Sequence, residues 1–202
     1  MTVNPLFAER DLEQLRSILD KLYIIVSRIL SKSLNALREG HSTDIEDPVL
    51  ITEELKEIVE YTATLYVARY QPLGKELVEA ISAIRVAYDL YRISRYSREI
   101  ALLMERLEGL KPPEDVIEAS NIVESSLSKA YNAYKKESQE LSREIAEADD
   151  KVDKLYIKRL DSLRGNPTMS VADIGALLIL RHLERIMDHE AYIVKARQFS
   201  QS

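Results

Sequence analysis

The sequence predicts an all-α protein, a tandem repeat of two antiparallel three-helix bundles. Three observations predict it. Glycine and proline are sparse, five and six in 202 residues, so the chain consists of long elements with little punctuation. Apolar residues recur at steps of three and four, the period of one helix face. The breaks sort these segments into three, a Gly/Pro interruption, and three again, which points to an internal duplication.

The first helix is expected over Phe7–Arg38. Leu12, Leu15, Leu19, Leu22, Val26, Ile29, Leu30 and Leu34 form one apolar stripe. Gly40 ends it, as glycine commonly does just past a helix C-terminus. A polar connection, His41–Asp47, leads to a second helix with Pro48 near its first turn, a position that tolerates proline. That helix runs to about Tyr70, where Gln71-Pro72 forces a bend. The third is expected over Leu73–Glu108, with Val86, Leu90, Ile93, Ile100, Met104 and Leu107 on one stripe. Gly109 and Pro112-Pro113 close the first half. The fourth, fifth and sixth helices are expected over Glu114–Tyr134, Ser138–Leu163 and Ser170–Phe199. Arg164-Gly165-Asn166-Pro167 breaks the chain between the last two. The two repeats are thus expected at 1–110 and 111–202.

Composition narrows the function classes. Apolar residues make up 46% and charged residues 31%, which suits amphipathic helices rather than a disordered acidic chain. There is no cysteine, which excludes disulfides, thiolate metal sites and a cysteine nucleophile. The net charge is −6 and no Lys/Arg-rich run appears, so a nucleic-acid footprint is not expected. The longest apolar run, Ile174–Leu180, falls far short of the roughly 20 residues that span a bilayer. Met1–Arg10 lacks the basic-then-apolar pattern of a secretory signal. A cytoplasmic chain is expected.

Two acidic pairs invite a chemical reading. Glu184 and Asp188, and likewise Asp149 and Asp153, stand four residues apart, so each pair shares one helix face. Both pairs flank the apolar stripe. Packed side by side, two such helices could converge four carboxylates on a hard or borderline cation. The same spacing also describes a solvated acidic face. Arg181 and Arg185 could hold Glu184 and Asp188 in surface ion pairs. His189 reads as a surface or capping residue, and Tyr88, Tyr91 and Tyr96 as packing and surface aromatics.

Several segments together carry a family resemblance. Leu183-Glu184-Arg185-Ile186-Met187-Asp188-His189 is similar to Leu-Glu-Arg-Ile-Gly-Asp followed by His, with Met187 in the glycine position. The third helix keeps Leu90, Arg92 and Ile93, but has Tyr91, Ser94 and Arg95 where the pattern has Glu, Gly and Asp. Ala68-Arg69-Tyr70-Gln71-Pro72-Leu73-Gly74-Lys75-Glu76-Leu77 and Asp149-Asp150-Lys151-Val152-Asp153-Lys154-Leu155 match two further segments in order. The chain resembles the PhoU-type regulators of phosphate uptake.

That resemblance implies a cytosolic adaptor restraining phosphate uptake through an ABC transporter and its associated signalling. Its partners would be the transporter's cytosolic, nucleotide-hydrolysing subunit and a signalling protein, and a homodimer is expected. It also implies a multinuclear iron, zinc or other divalent or trivalent metal cluster held by acid pairs. Asp149, Asp153, Glu184 and Asp188 would supply the second repeat's site. In the first repeat only Glu53 remains. Val49 stands at its partner position, and Tyr91 and Arg95 replace the other two acids, so that site is degraded. Arg95 is expected to pair with Glu53 instead.

No Gly-rich phosphate loop or Gly-x-Ser-x-Gly nucleophile motif appears, and an enzyme is not expected. The alternative is a carboxylate-based metal store or metalloenzyme on a helical bundle. Against it, none of His41, His182 and His189 has Glu three positions before it, the spacing that ferritin-like di-iron sites use. A purely structural coiled coil is a third reading, which the frequent breaks oppose.

Overall fold

The computed structural model describes residues 5–41, 43–107, 109, 111–164 and 168–197. Its regular elements are six helices: α1 Pro5–Glu39, α2 Glu46–Tyr70, α3 Lys75–Arg106, α4 Glu114–Lys136, α5 Gln139–Leu163 and α6 Val171–Lys195. The expected all-α tandem architecture is what the chain adopts. Among the expected boundaries, Glu108, Gly165-Asn166-Pro167 and Phe199 lie outside the described residues.

Local chemistry sets the ends. Gln71 closes α2 in the left-handed region at φ 46°, donating its N–H to the Val67 carbonyl at 2.9 Å. Gly74 follows at φ 60°, a conformation that glycine adopts without a Cβ penalty. This explains why α3 begins at Lys75 rather than at Leu73, which is left outside and exposed. Glu114 and Asp115 place negative charge in the first turn of α4, where the helix dipole favours it. Ser138 caps α5. Ser170 and Asp173 form a reciprocal capping box at the start of α6.

Helices α1, α2 and α3 pack on one another, and so do α4, α5 and α6. The eight stripe residues of α1 are all buried, as are Val86, Leu90, Ile93, Ile100 and Met104 of α3. The two bundles do not stand apart. Helix α3 packs along α6, α1 touches α4, and one hydrophobic core runs through both repeats.

The seam between α3 and α6 has internal symmetry. Leu90 and Leu183 are both fully buried. Aligning them puts Asp89 in the register of His182, and Tyr96 in that of His189. Across the seam Asp89 meets His189, and Tyr96 meets His182 with ring centroids 5.9 Å apart. Each contact is the mate of the other, as in an interface between identical subunits.

Candidate functional site

The four second-repeat acids gather where α5 lies on α6. Asp149 comes four residues after buried Ile145 and three before buried Val152, the spacing of a single inward face. Glu184 follows fully buried Leu183 and is itself only 8% exposed. The expectation that both pairs flank the apolar stripe is therefore corrected for Glu184. Helix α6 packs on α3, α4 and α5 at once, which leaves little of its circumference to solvent. Asp149, Asp153 and Asp188 are all partly exposed.

The acids act on one another. Burial raises the carboxyl pKa of Asp149, and the charges of Asp153 and Asp188 add to the rise. Burial and then Asp188 do the same to Asp153. Glu184 is raised by burial and by Asp188, with Arg181 and Arg185 opposing. Those two arginines hold the outer ends. Arg181 Nη1 donates to Glu184 Oε1, and Arg185 Nη1 to Asp188 Oδ2, both at 2.7 Å.

Two carboxylate oxygens are left over. Asp149 Oδ1 and Glu184 Oε2 are buried without a hydrogen bond, Glu184 Oε2 having only the Arg185 guanidinium at 3.5 Å. A buried oxygen in that condition is costly unless a cation or proton meets it. The donor set, all carboxylate, suits a hard cation. In the arrangement described, no three His, Asp or Glu side chains among the described residues stand close enough to hold a metal ion. Glu184 and Asp188 are turned onto their arginines.

The corresponding place in the first repeat is wired differently. Tyr91 donates its hydroxyl to Glu53 Oε1 at 3.2 Å, and Arg95 Nη1 donates to the Tyr91 hydroxyl at 3.4 Å. Arg95 thus reaches Glu53 through Tyr91, and no direct Arg95–Glu53 pair forms among the described residues, contrary to expectation. The phenol is long enough to stand between them. Val49, at the missing acid's position, is buried in a small apolar cluster with Ile29, Ile45 and Ala101. Ser94, in the pattern's glycine position, meets Thr52 of α2 at 2.7 Å, so the close helix approach there is kept by a hydrogen bond.

Sequence reasoning missed two features. His189 is not a surface residue: it is buried, and its Nδ1 lies 2.8 Å from Asp89 Oδ1. Asp89 had announced itself only as an acid directly before the buried Leu90. Glu190 is fully buried with both carboxyl oxygens lacking a hydrogen-bond partner. Burial, then the Asp149 charge, raises its pKa well above the carboxylate range. Its spacing from Ile186, Met187, Ile193 and Val194 places it squarely on the inward stripe.

The PhoU domain family matches the chain twice, over residues 19–104 and 116–196. A phosphate-specific transport system accessory protein PhoU homolog of Archaeoglobus fulgidus is 28% identical over 191 residues, spanning 92% of this chain and 91% of that one. PhoU homolog 1 of Thermotoga maritima is 30% identical over 196 residues, 90% of this chain and 83% of its own. The crystal structure of the phosphate transport system regulatory protein PhoU from Streptococcus pneumoniae superposes with a TM-score of 0.80 at 20% identity, covering 96% of this chain and 97% of that one. PhoU from Pseudomonas aeruginosa gives a TM-score of 0.74 at 22% identity, with 95% and 97% covered.

Proposed function

Since the chain belongs to the PhoU family, we propose that it is an accessory regulator of phosphate-specific transport that works by binding other proteins and catalyses no reaction. The observation that carries this reading is the family match in both repeats, together with full-length similarity to proteins named as phosphate-transport accessories. The finer reading is a cytoplasmic adaptor, dimeric with itself. It restrains uptake by contacting the cytosolic, nucleotide-hydrolysing subunit of a phosphate ABC transporter, and relays to a signalling partner. No described helix is long and apolar enough to cross a membrane. On the outer side of α2, Ile51, Ile58, Tyr61 and Leu65 form an exposed row at intervals of seven, three and four, the spacing by which one helix face docks onto a partner.

Within this reading Asp149, Asp153, Glu184 and Asp188 are the residues that would hold a multinuclear iron, zinc or other divalent or trivalent metal cluster. The two orphaned oxygens support it. Bound metal would supply the positive charge that lets α5 and α6 keep four acids together. Arg181 and Arg185 would have to release Glu184 and Asp188 first. The first repeat would hold none, since Glu53 is engaged by Tyr91 and Arg95 stands beyond it.

Two experiments test the parts separately. Deleting the gene should raise phosphate uptake or derepress phosphate-starvation responses. Normal phosphate handling at both high and low supply, with redundant copies excluded, would reject the regulator. Metal analysis of the purified protein should show Asp153→Ala and Asp188→Ala losing metal while Glu53→Ala retains it. Metal retained by both second-repeat variants would reject the assigned ligands.

A further inference from the structure

Helix α2 carries apolar residues on two opposite sides. Val59, Ala63 and Tyr66 are buried where it packs on α1 and α3. On the outer side Ile51, Ile58, Tyr61 and Leu65 are 45%, 46%, 66% and 38% exposed. Helix α4, of similar length, leaves no large apolar side chain exposed. A helix that is apolar all round is ordinarily covered all round.

The outer residues keep a strict heptad. Ile51, Ile58 and Leu65 recur every seven residues, Glu54, Tyr61 and Ala68 fall between them, and all six are exposed. That is the spacing of a coiled-coil contact, apolar at five positions of six, over about 25 Å of helix. The row also matches its own reverse. A two-fold axis passing between Ile58 and Tyr61 sets a second α2 antiparallel to the first. Ile51 then lies opposite Ala68 of the second copy, Glu54 opposite Leu65, and Ile58 opposite Tyr61. Every row residue meets another row residue, as an interface between identical surfaces requires.

The exposed acids select the direction. In the antiparallel arrangement Glu54 and Glu57 face Leu65 and Thr62 of the second copy, so no exposed acid opposes an acid. In a parallel pair Glu54 would stand against Glu54, two like charges that repel. A single polar residue in an apolar row is a common device for fixing orientation.

We propose that the chain forms a two-fold dimer through the outer row of α2, the two helices running antiparallel about Ile58 and Tyr61. The proposal deepens the dimeric part of the transport reading and rests on no other part of it. Its contact residues all belong to the first repeat, and the acids of α5 and α6 take no part.

The test is analytical ultracentrifugation of the full chain with cysteine cross-linking. The parent should be a dimer at micromolar concentration. Ile58→Glu, at a position already exposed, should weaken association at least about tenfold, while Ile157→Glu, on the exposed side of α5, should leave it unchanged. The chain has no cysteine, so an introduced one reports a single position. Ile51→Cys and Ala68→Cys, mixed and allowed to exchange, should oxidise to a covalent dimer. Neither should do so alone, because two copies of either position lie about 25 Å apart in the antiparallel pair and a disulfide needs Cα atoms within about 7 Å. The proposal is overturned if the parent is monomeric, if the dimer withstands Ile58→Glu, or if each cysteine variant cross-links alone. A monomer whose Ile58→Glu variant loses a transporter subunit also overturns it and gives the row to that partner. In each of these cases the regulator reading stands or falls separately, on the deletion phenotype.

Discussion

Asp89 and His189 stand one hundred residues apart in the chain and 2.8 Å apart in the fold, joining the third helix of one repeat to the third helix of the other. Both side chains are about nine-tenths buried, so water competes poorly with either partner. Removing one partner of such a pair strands the other, a loss of about 3 kcal/mol. Asp89→Ala and His189→Ala are each expected to lower the urea midpoint by that order. The double variant should lose less than the sum of the two. Additive losses in the double-mutant cycle would show that the contact carries no coupling.

This seam shows where sequence reading reaches its limit. The helices were legible because each stripe is local: Leu12 through Leu34 repeat at a spacing that only a helix makes contiguous. The second-repeat acids were legible as pairs for the same reason. Which residues face each other across two helices depends on rotation and offset, which no local period encodes. Asp89 and His189 were therefore read separately, one passed over and the other placed at the surface. Glu184 reads as lying beside the stripe because it is charged. The packing of α6 on three helices turns Glu184 inward. The Tyr91 bridge to Glu53 was hidden because a tyrosine at an acid's position reads as a loss of ligand, not as a gain of reach.

Acid should weaken the protein through Glu79. This carboxylate is mostly buried, which alone would raise its pKa. Two hydrogen bonds from Arg16, at 2.7 and 3.1 Å, and the charges of Arg16 and Arg197 outweigh burial and hold it below 4.5. A depressed carboxyl binds protons more weakly folded than unfolded. Its contribution is therefore complete above the unfolded pKa and is lost as pH falls through the folded one. Glu79→Gln should lower stability near neutrality by about 1 kcal/mol, an amount limited by the solvent that reaches Arg16. It should also flatten the acid limb of a stability–pH curve. A variant curve parallel to the parent's below about pH 4.5 would remove Glu79 as the cause.

Glu190 should be worth more as leucine. A fully buried carboxyl with both oxygens unpartnered bears a desolvation cost of about 1–3 kcal/mol. Its neighbours along the stripe are Met187, Ile193 and Val194, all apolar and buried. Leucine has no polar atom to leave unpaired. Glu190→Leu is expected to raise the melting temperature, and Glu190→Gln to leave it nearly unchanged. Destabilisation by leucine would mean that the carboxyl is met by a water or an ion worth more than the lost polarity.

Arg181 and Arg185 are the natural competitors of any cation in the acidic groove. At 2.7 Å each occupies a carboxylate oxygen that a metal would need, and both lower the pKa of Glu184 against the rise from burial and Asp188. The apo protein therefore depends on them. Arg181→Ala combined with Arg185→Ala leaves Asp149, Asp153, Glu184 and Asp188 facing one another with less compensation, and like charges at such range repel by kcal/mol amounts on the order of 1–4. The double variant should melt lower when metal-free. Its carboxylates are free to turn inward, so Mn²⁺ should bind more tightly than to the parent and restore more of the melting temperature, following the logarithm of ligand concentration over Kd. Calorimetry with Mn²⁺, alongside melting curves with and without it, reads both effects. If the double variant loses stability and binds Mn²⁺ no better than the parent, the arginines are structural partners of the acids and no competition with a cation exists.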